Sequence, residues 1–440
     1  MKQYATYSVK IKHYNHILLD TVSVYREAVN FLMDICLSEW ADISERKGNQ
    51  AQMMYVESLC HKTKANPVPK YDFDVKFYKM PSYIRRASIA EAIGKVSSYQ
   101  SNLANWQKNP VGKKPTLKNC GCIYPSLYRT GMYTLTGEYS AQIKIYRNHT
   151  WEWLSIELRK SDMDYITRNC KNRKMCAPTL QKRGKEWFLD FPFEEDVKLT
   201  DRKELVVGVD LGLNSACVCC VMDAKGTIYG REFLHLPSET DRLQHSIGRI
   251  KKAQQYGNCK TPRLWAKANG INHDIAVKTA KFIMDVACKY DADTIVFEHL
   301  ELNGKKRGSK KQKLHLWKAR SVQRMVTDKA HRLGKRISHI CAWGTSKLAY
   351  DGSGKVLRGT EAELPSYSVC QFQNGKVYNC DLNASYNIAA RYYIRTILKS
   401  CSETERLGIE AKVPRCTKRS TCTLADLINL NTVLENRTVV

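Results

Sequence analysis

Long apolar runs are missing from this chain. Nowhere do eighteen apolar residues follow one another in its 440 residues, and the N-terminal stretch MKQYATYSVKIKHYNHILLD has no continuous apolar segment. Neither membrane insertion nor export is indicated, so no membrane partner and an intracellular, cytoplasmic location are expected. Acidic residues are also scarce: 43 Asp and Glu stand against 71 Lys and Arg, leaving a net charge of +28. Such an excess favours a polyanionic partner, with nucleic acid first. The cysteines lack an even count: there are seventeen in a long chain, and Cys217, Cys219 and Cys220 sit inside an apparent strand. Most are read as reduced thiols that fill a core rather than as a disulfide framework.

The chain has enough apolar material to fold, with 43% hydrophobic and 10% aromatic residues, and it is too long for one ordinary core. Two or three domains are expected. After a short alternating segment, YATYSVKIKHY, residues 16–114 read as helical. Apolar residues recur at Val22, Tyr25, Val29, Leu32, Cys36 and Trp40, the spacing of one helix face. Residues 1–15 and 115–200 read as β-rich, with strand-like pieces YSAQIKIYRN, TWEWLSIEL and GKEWFLDFPF between polar turns. Residues 201–400 form a further domain, and the polar tail 401–440 receives no assignment.

The stretch VVGVDLGLNSACVCCV places one carboxylate, Asp210, at the tip of an otherwise apolar strand. ELVVGVDLG, SACVCCVMD and TIYGREFL read as three strands joined by short turns, an antiparallel meander. A helix follows, then the strand DTIVFEHL with Glu298 near its end, then a basic helix and the strand RISHICAW. The last segment, NCDLNASYNIAARYYIRTIL, opens with Asp381 and continues as a helix. Three strands, helix, strand, helix, strand, helix is the order of the ribonuclease-H-like fold, which sets the first and fourth strands side by side. Asp210 and Glu298 then meet at one edge of the sheet, and the final helix brings Asp381 there. Each acid alone fits a turn or a cap; three in this order, in a basic protein, point to a site. Clustered carboxylates repel unless protonated or bridged by cations. Mg²⁺ suits hard oxygen ligands and leaves positions for phosphate, and two such ions about 4 Å apart support phosphodiester hydrolysis.

These residues carry a resemblance. VGVDLGLNSACV, DTIVFEHLEL and CDLNASYNIAAR resemble the three RuvC motifs of the TnpB nucleases and of the compact type V CRISPR effectors derived from them. RSVQRMVTDKAHRLGKRISHICAWGTS is similar to the family's helix and strand leading to a Thr-Ser pair, here Thr345 and Ser346. The resemblance implies an α+β multidomain protein: a ribonuclease-H-like (RuvC) nuclease domain, an N-terminal β-rich wedge domain and a helical recognition insertion. It further implies an RNA-guided DNA endonuclease with one Mg²⁺-dependent site at Asp210, Glu298 and Asp381, partnered by guide RNA and target DNA. An RNA-guided protein that binds DNA without efficient cutting, or an unguided ribonuclease-H-like nuclease or transposase, are the competing readings.

The family usually carries a zinc ribbon, two C-x2-C pairs, between its second and third motifs. Here TSKLAYDGSGKV has no cysteine, and VCQFQNGKVYNC keeps Cys370 with Gln373 at the partner's place. With Cys380 and Cys341 scattered nearby, the four ligands of a structural site are not supplied, so no structural zinc is expected around residues 342–380. The basic run from Lys305 to Arg336 holds thirteen Lys or Arg and one Asp. It reads either as a solvated face or, lying directly after Glu298, as a strand guide. The second reading makes Lys305, Lys306, Arg307, Lys310, Lys311, Arg320 and Arg324 phosphate contacts and Trp317 a stacking platform.

Overall fold

The computed structural model describes residues 1–13, 16–64, 66–128, 131–201, 205–212, 217–300, 318–364, 366 and 368–436. The chain divides into two compact units, Lys2–Asp196 and Val197–Val440, the second joined by Met1.

In the first unit β1 (Lys2–Lys10) is followed by α1 (Leu18–Ser38), α2 (Trp40–Glu45), α3 (Asn49–Cys60), α4 (Phe73–Lys76) and α5 (Ser82–Lys108). Then come β2 (Tyr133–Leu135), β3 (Ser140–Arg147), β4 (Thr150–Glu157), α6 (Lys160–Asn169), β5 (Lys174–Met175), β6 (Thr179–Arg183) and β7 (Glu186–Asp196). β7 is the hub of one sheet, antiparallel to β1 from Lys2↔Asp196 to Lys10↔Phe188 and also to β5 and β6. β2, β3 and β4 make a second antiparallel sheet. On β3 alternate residues Ala141, Ile143 and Ile145 are buried, the period of a strand with one face inward. Helical and β-rich segments share one core, in which Val22, Leu32 and Ile84 join Ile143, Trp187 and Leu189.

The second unit is built on a five-stranded sheet of β8 (Val206–Asp210), β9 (Cys217–Met222), β10 (Ile228–Leu234), β11 (Thr294–His299) and β12 (Arg336–Cys341), in the order β10-β9-β8-β11-β12. β8, β9 and β10 are antiparallel; β11 runs parallel to β8 on one side and β12 on the other. Successive side chains on a strand face opposite ways, so the central strands supply two cores. Val207, Val209, Cys217, Cys219, Val221, Ile295 and Phe297 pack on α8 (Pro262–Lys289) and α9 (Ala319–Arg332), which follow α7 (Pro237–Gln255). Val206, Val218, Cys220, Met222 and Val296 pack on α10 (Cys380–Ser400). The thiols of β9 act as small apolar fillers on both faces. Gly208 lets α10 approach: a Cβ there would lie 2.5 Å from the Ser385 carbonyl oxygen and 2.9 Å from the Ala389 Cβ.

Between β12 and α10 the chain forms a small antiparallel sheet of β13 (Leu357–Arg358), β14 (Val369–Gln371) and β15 (Val377–Asn379). The tail left unassigned by sequence is helical, α11 (Glu403–Lys412) and α12 (Leu424–Glu435), each opened by a capping box, Ser402 with Glu405 and Thr423 with Asp426. Leu424, Leu427 and Leu430 belong to the same core as α10 and β9.

Candidate active site

The sheet register brings the acids to one edge. Val206–Val209 of β8 pair in parallel with Thr294–Phe297 of β11, and Asp210 and Glu298 are the next residue on each strand. Asp381 occupies the first turn of α10, a helix opened by the Asn379 side chain accepting from the Leu382 N–H at 2.9 Å. Burial pushes the Asp210 carboxyl well above the usual range, and the charges of Glu298 and Asp381 push it the same way. The Arg358 guanidinium, on β13, partly offsets this. Burial also raises Glu298, opposed by a hydrogen bond from Thr345 and by the charge of Arg391. Asp210 therefore lies within electrostatic reach of both Glu298 and Asp381.

Other side chains hold Glu298. The Thr345 hydroxyl donates to Glu298 Oε1, and Gln323 of α9 donates to the Glu298 carbonyl at 2.9 Å. Arg358 donates to the Ser346 carbonyl, and its Nε is buried without a hydrogen-bond partner.

A family model described as the Aq_aa04 family matches residues 5–147. The TnpB-like protein aq_aa05 of Aquifex aeolicus (strain VF5) is 31% identical over 235 residues, which cover 47% of this chain and 74% of that protein. The chain belongs to the TnpB-like family. The CRISPR-associated endodeoxyribonuclease Cas12f2 of a Micrarchaeota archaeon is 23% identical to this TnpB-like chain over 362 residues, spanning 78% of the chain and 63% of that relative. Among solved structures, the protein of a Cas12f1–sgRNA–target DNA complex shares the fold at a TM-score of 0.52 and 15% identity, covering 85% of this chain and 81% of that one.

Does the TnpB-like site suit the Mg²⁺ expected from its residue types? Among the described residues no three His, Cys, Asp or Glu side chains are gathered as a ready-made metal cage. The donor set nevertheless fits: three carboxylates offer hard oxygens, and their repulsion at Asp210 is the condition a divalent cation relieves. Mg²⁺ keeps several waters and needs one or two carboxylates rather than a closed cage.

Of the nucleic-acid contacts expected from the basic run, Lys305, Lys306, Arg307, Lys310, Lys311 and Trp317 lie outside the described residues. Arg320 and Arg324 are exposed on α9, and Arg320 donates through Nε and Nη2 to the carbonyl of Leu300, at 3.1 and 2.8 Å. Where a zinc ribbon was sought, an aromatic cluster stands. The Tyr350 ring lies 5.5 Å from Phe372, 5.2 Å from Tyr378 and 5.1 Å from Tyr386, all edge-on, beside buried Cys370 and Cys380. Among the described residues no helix is long and apolar enough to cross a membrane.

Sequence reasoning passed over Gln323, Arg358, Asn383, Asn387 and Arg391. A signal for the last three existed: they fall at intervals of four on α10, on a face that is otherwise small and apolar.

Proposed function

We propose that this TnpB-like chain is an RNA-guided DNA endonuclease. In this reading it holds a guide RNA, recognises a short DNA motif beside a guide-complementary target, and cuts by Mg²⁺-dependent phosphodiester hydrolysis at Asp210, Glu298 and Asp381. The observation that carries it is the approach of three acids from two neighbouring strands and a helix start, with Glu298 and Asp381 close enough to Asp210 to raise it. The net charge of +28 and the names of the relatives support a nucleic-acid partner.

Asp210, Glu298 and Asp381 would hold the cation. Bound there, Mg²⁺ supplies an activated water and a charge for the leaving oxygen. Thr345 and Gln323 fix the Glu298 side chain and backbone, so the carboxylate meets the substrate without reorganising. Arg358 keeps positive charge beside Asp210. A basic protein surface grips an RNA–DNA heteroduplex by its backbone, leaving sequence to base pairing.

The test is to sequence the RNA that copurifies with the protein and to offer matching DNA with Mg²⁺ to wild type and Asp210→Ala. Wild type is expected to cut and Asp210→Ala to bind without cutting. Guided binding without cutting by wild type would make the protein an RNA-guided binder. Cutting without any RNA would make it an unguided nuclease.

A further inference from the structure

Glu298 is held by a loop, and the loop is held by a helix. Residues 342–350 follow β12 and carry Thr345, which is 2% exposed. The Thr345 hydroxyl lies within reach of two acceptors, Glu298 Oε1 and, at 3.0 Å, the Ala342 carbonyl. One hydroxyl has one proton. A carboxylate acceptor forms a stronger bond than a neutral carbonyl, which favours Glu298 as the partner.

The loop's backbone is pinned from α10 by three buried polar side chains, Asn383 and Asn387 at 0% exposure and Arg391 at 3%. Asn383 donates to Leu348 O at 2.9 Å and accepts from Tyr350 N at 2.8 Å. Asn387 donates to Thr345 O and to Leu348 O, both at 2.9 Å. Arg391 donates through Nη1 to Cys341 O at 3.0 Å and to Trp343 O at 2.7 Å. The same side chains reach the segment before α12: Asn387 Oδ1 accepts from Leu424 N at 3.2 Å, and Arg391 Nε donates to Cys422 O at 2.8 Å. Burying two amides and a guanidinium costs free energy that apolar packing would avoid. What they achieve is a loop whose carbonyls are fixed on both sides of Thr345.

We infer that Thr345 is a positioning residue for Glu298, presented by the Asn383–Asn387–Arg391 face of α10 and braced by the segment at 422–424. The inference rests on the reading of Asp210, Glu298 and Asp381 as a divalent-cation site. A hydroxyl that fixes a ligating carboxylate acts on cation affinity and on rate together, and leaves guide and target binding alone.

The experiment uses the full chain with its copurified RNA, as wild type, Thr345→Val, Thr345→Ser and Asp210→Ala. Mn²⁺ binding is followed by electron paramagnetic resonance, single-turnover cutting is followed across a Mg²⁺ titration, and thermal unfolding is recorded for each variant. Thr345→Val should lose about tenfold to a hundredfold in Mn²⁺ affinity and in cutting rate. Its Mg²⁺ half-saturation should move upward, while guided DNA binding stays as in wild type. Thr345→Ser, which keeps the hydroxyl, should restore both. If the valine variant folds poorly, Thr345→Ala carries the same expectation. Equal Mn²⁺ affinity and equal cutting by the valine, alanine and wild-type proteins would overturn the inference, as would failure of Thr345→Ser to rescue. Mn²⁺ binding that depends on Thr345 and Asp210 in a wild type that cuts no DNA would sink the endonuclease reading and uphold this one.

Discussion

Replacing Gly208 by Ala should damage the nuclease unit through geometry alone. Gly208 sits two residues before Asp210, and its α-hydrogens face α10. A methyl there would stand 2.5 Å from Ser385 O, 2.9 Å from Ala389 Cβ and 3.0 Å from Ala389 N. Two of these are backbone atoms of a helix, so no flexible side chain can swing away. Reaching ordinary contact at 3.4 Å requires β8 and α10 to separate by 0.9 Å at this point (3.4 minus 2.5). Overpacking of this kind costs about 1–3 kcal/mol. In a domain of this size each kcal/mol lowers Tm by about 2–4 °C. The same displacement moves Asp381, on α10, away from Asp210, on β8. A misplacement of about 1 Å can reduce rate about a hundredfold. The assay pairs thermal unfolding of the apoprotein with single-turnover cutting of guide-matched DNA. Wild-type Tm together with wild-type cutting would refute the argument. A lowered Tm with unaltered cutting would show that the acids do not depend on this contact.

Three further outcomes follow from the site and its surroundings. Asp210 has its acidity weakened in the folded chain, so between its ordinary pKa of about 3.9 and the raised folded value the native state holds a proton that the unfolded state has lost. Metal-free stability should therefore fall as pH rises through the folded pKa, and urea melts of Asp210→Asn should show a flatter pH profile; identical profiles would contradict the mutual repulsion. The 342–380 region should hold less than one zinc per chain by elemental analysis and melt unchanged in chelator. Tyr350→Leu, which discards three ring contacts worth about 0.5–1.5 kcal/mol each, should lower the melt instead.

The two strands that carry the site were legible because VVGV and IVF are unbroken apolar runs, each followed by an acid where the chain leaves the core, Asp210 and Glu298. What sequence could not give were contacts that join distant segments. The apolar stripe of the first helix extends to Trp40, yet α1 stops at Ser38 and a new helix starts at Trp40. At the break stands Glu39, whose carboxylate accepts from Lys70 Nζ at 2.6 Å and Tyr71 Oη at 2.5 Å, more than thirty residues away. Thr345 and Glu298 are 47 residues apart, and their bond depends on a loop path that no periodicity encodes. The tail was a different omission. Its capping residues, Ser402 with Glu405 and Thr423 with Asp426, stood in the sequence as helix starts, and Leu424, Leu427 and Leu430 marked the buried face.

That tail also sets the order in which the nuclease unit can be completed during synthesis. Val206 and Leu430 belong to one core but are 224 residues apart in the chain. At about 5–20 residues per second, translation takes roughly 10–45 s to cover that distance. During this interval Val218, Cys220 and Met222 lack the helices that cover their face, and a newly made β8–β9 hairpin carries an open apolar side. Asp381 emerges late, and the brace at Cys422 and Leu424 later still. A ribosome-bound chain thus holds Asp210 and Glu298 without the third acid or the completed loop support until Asp381 and then residues 422–424 have been made.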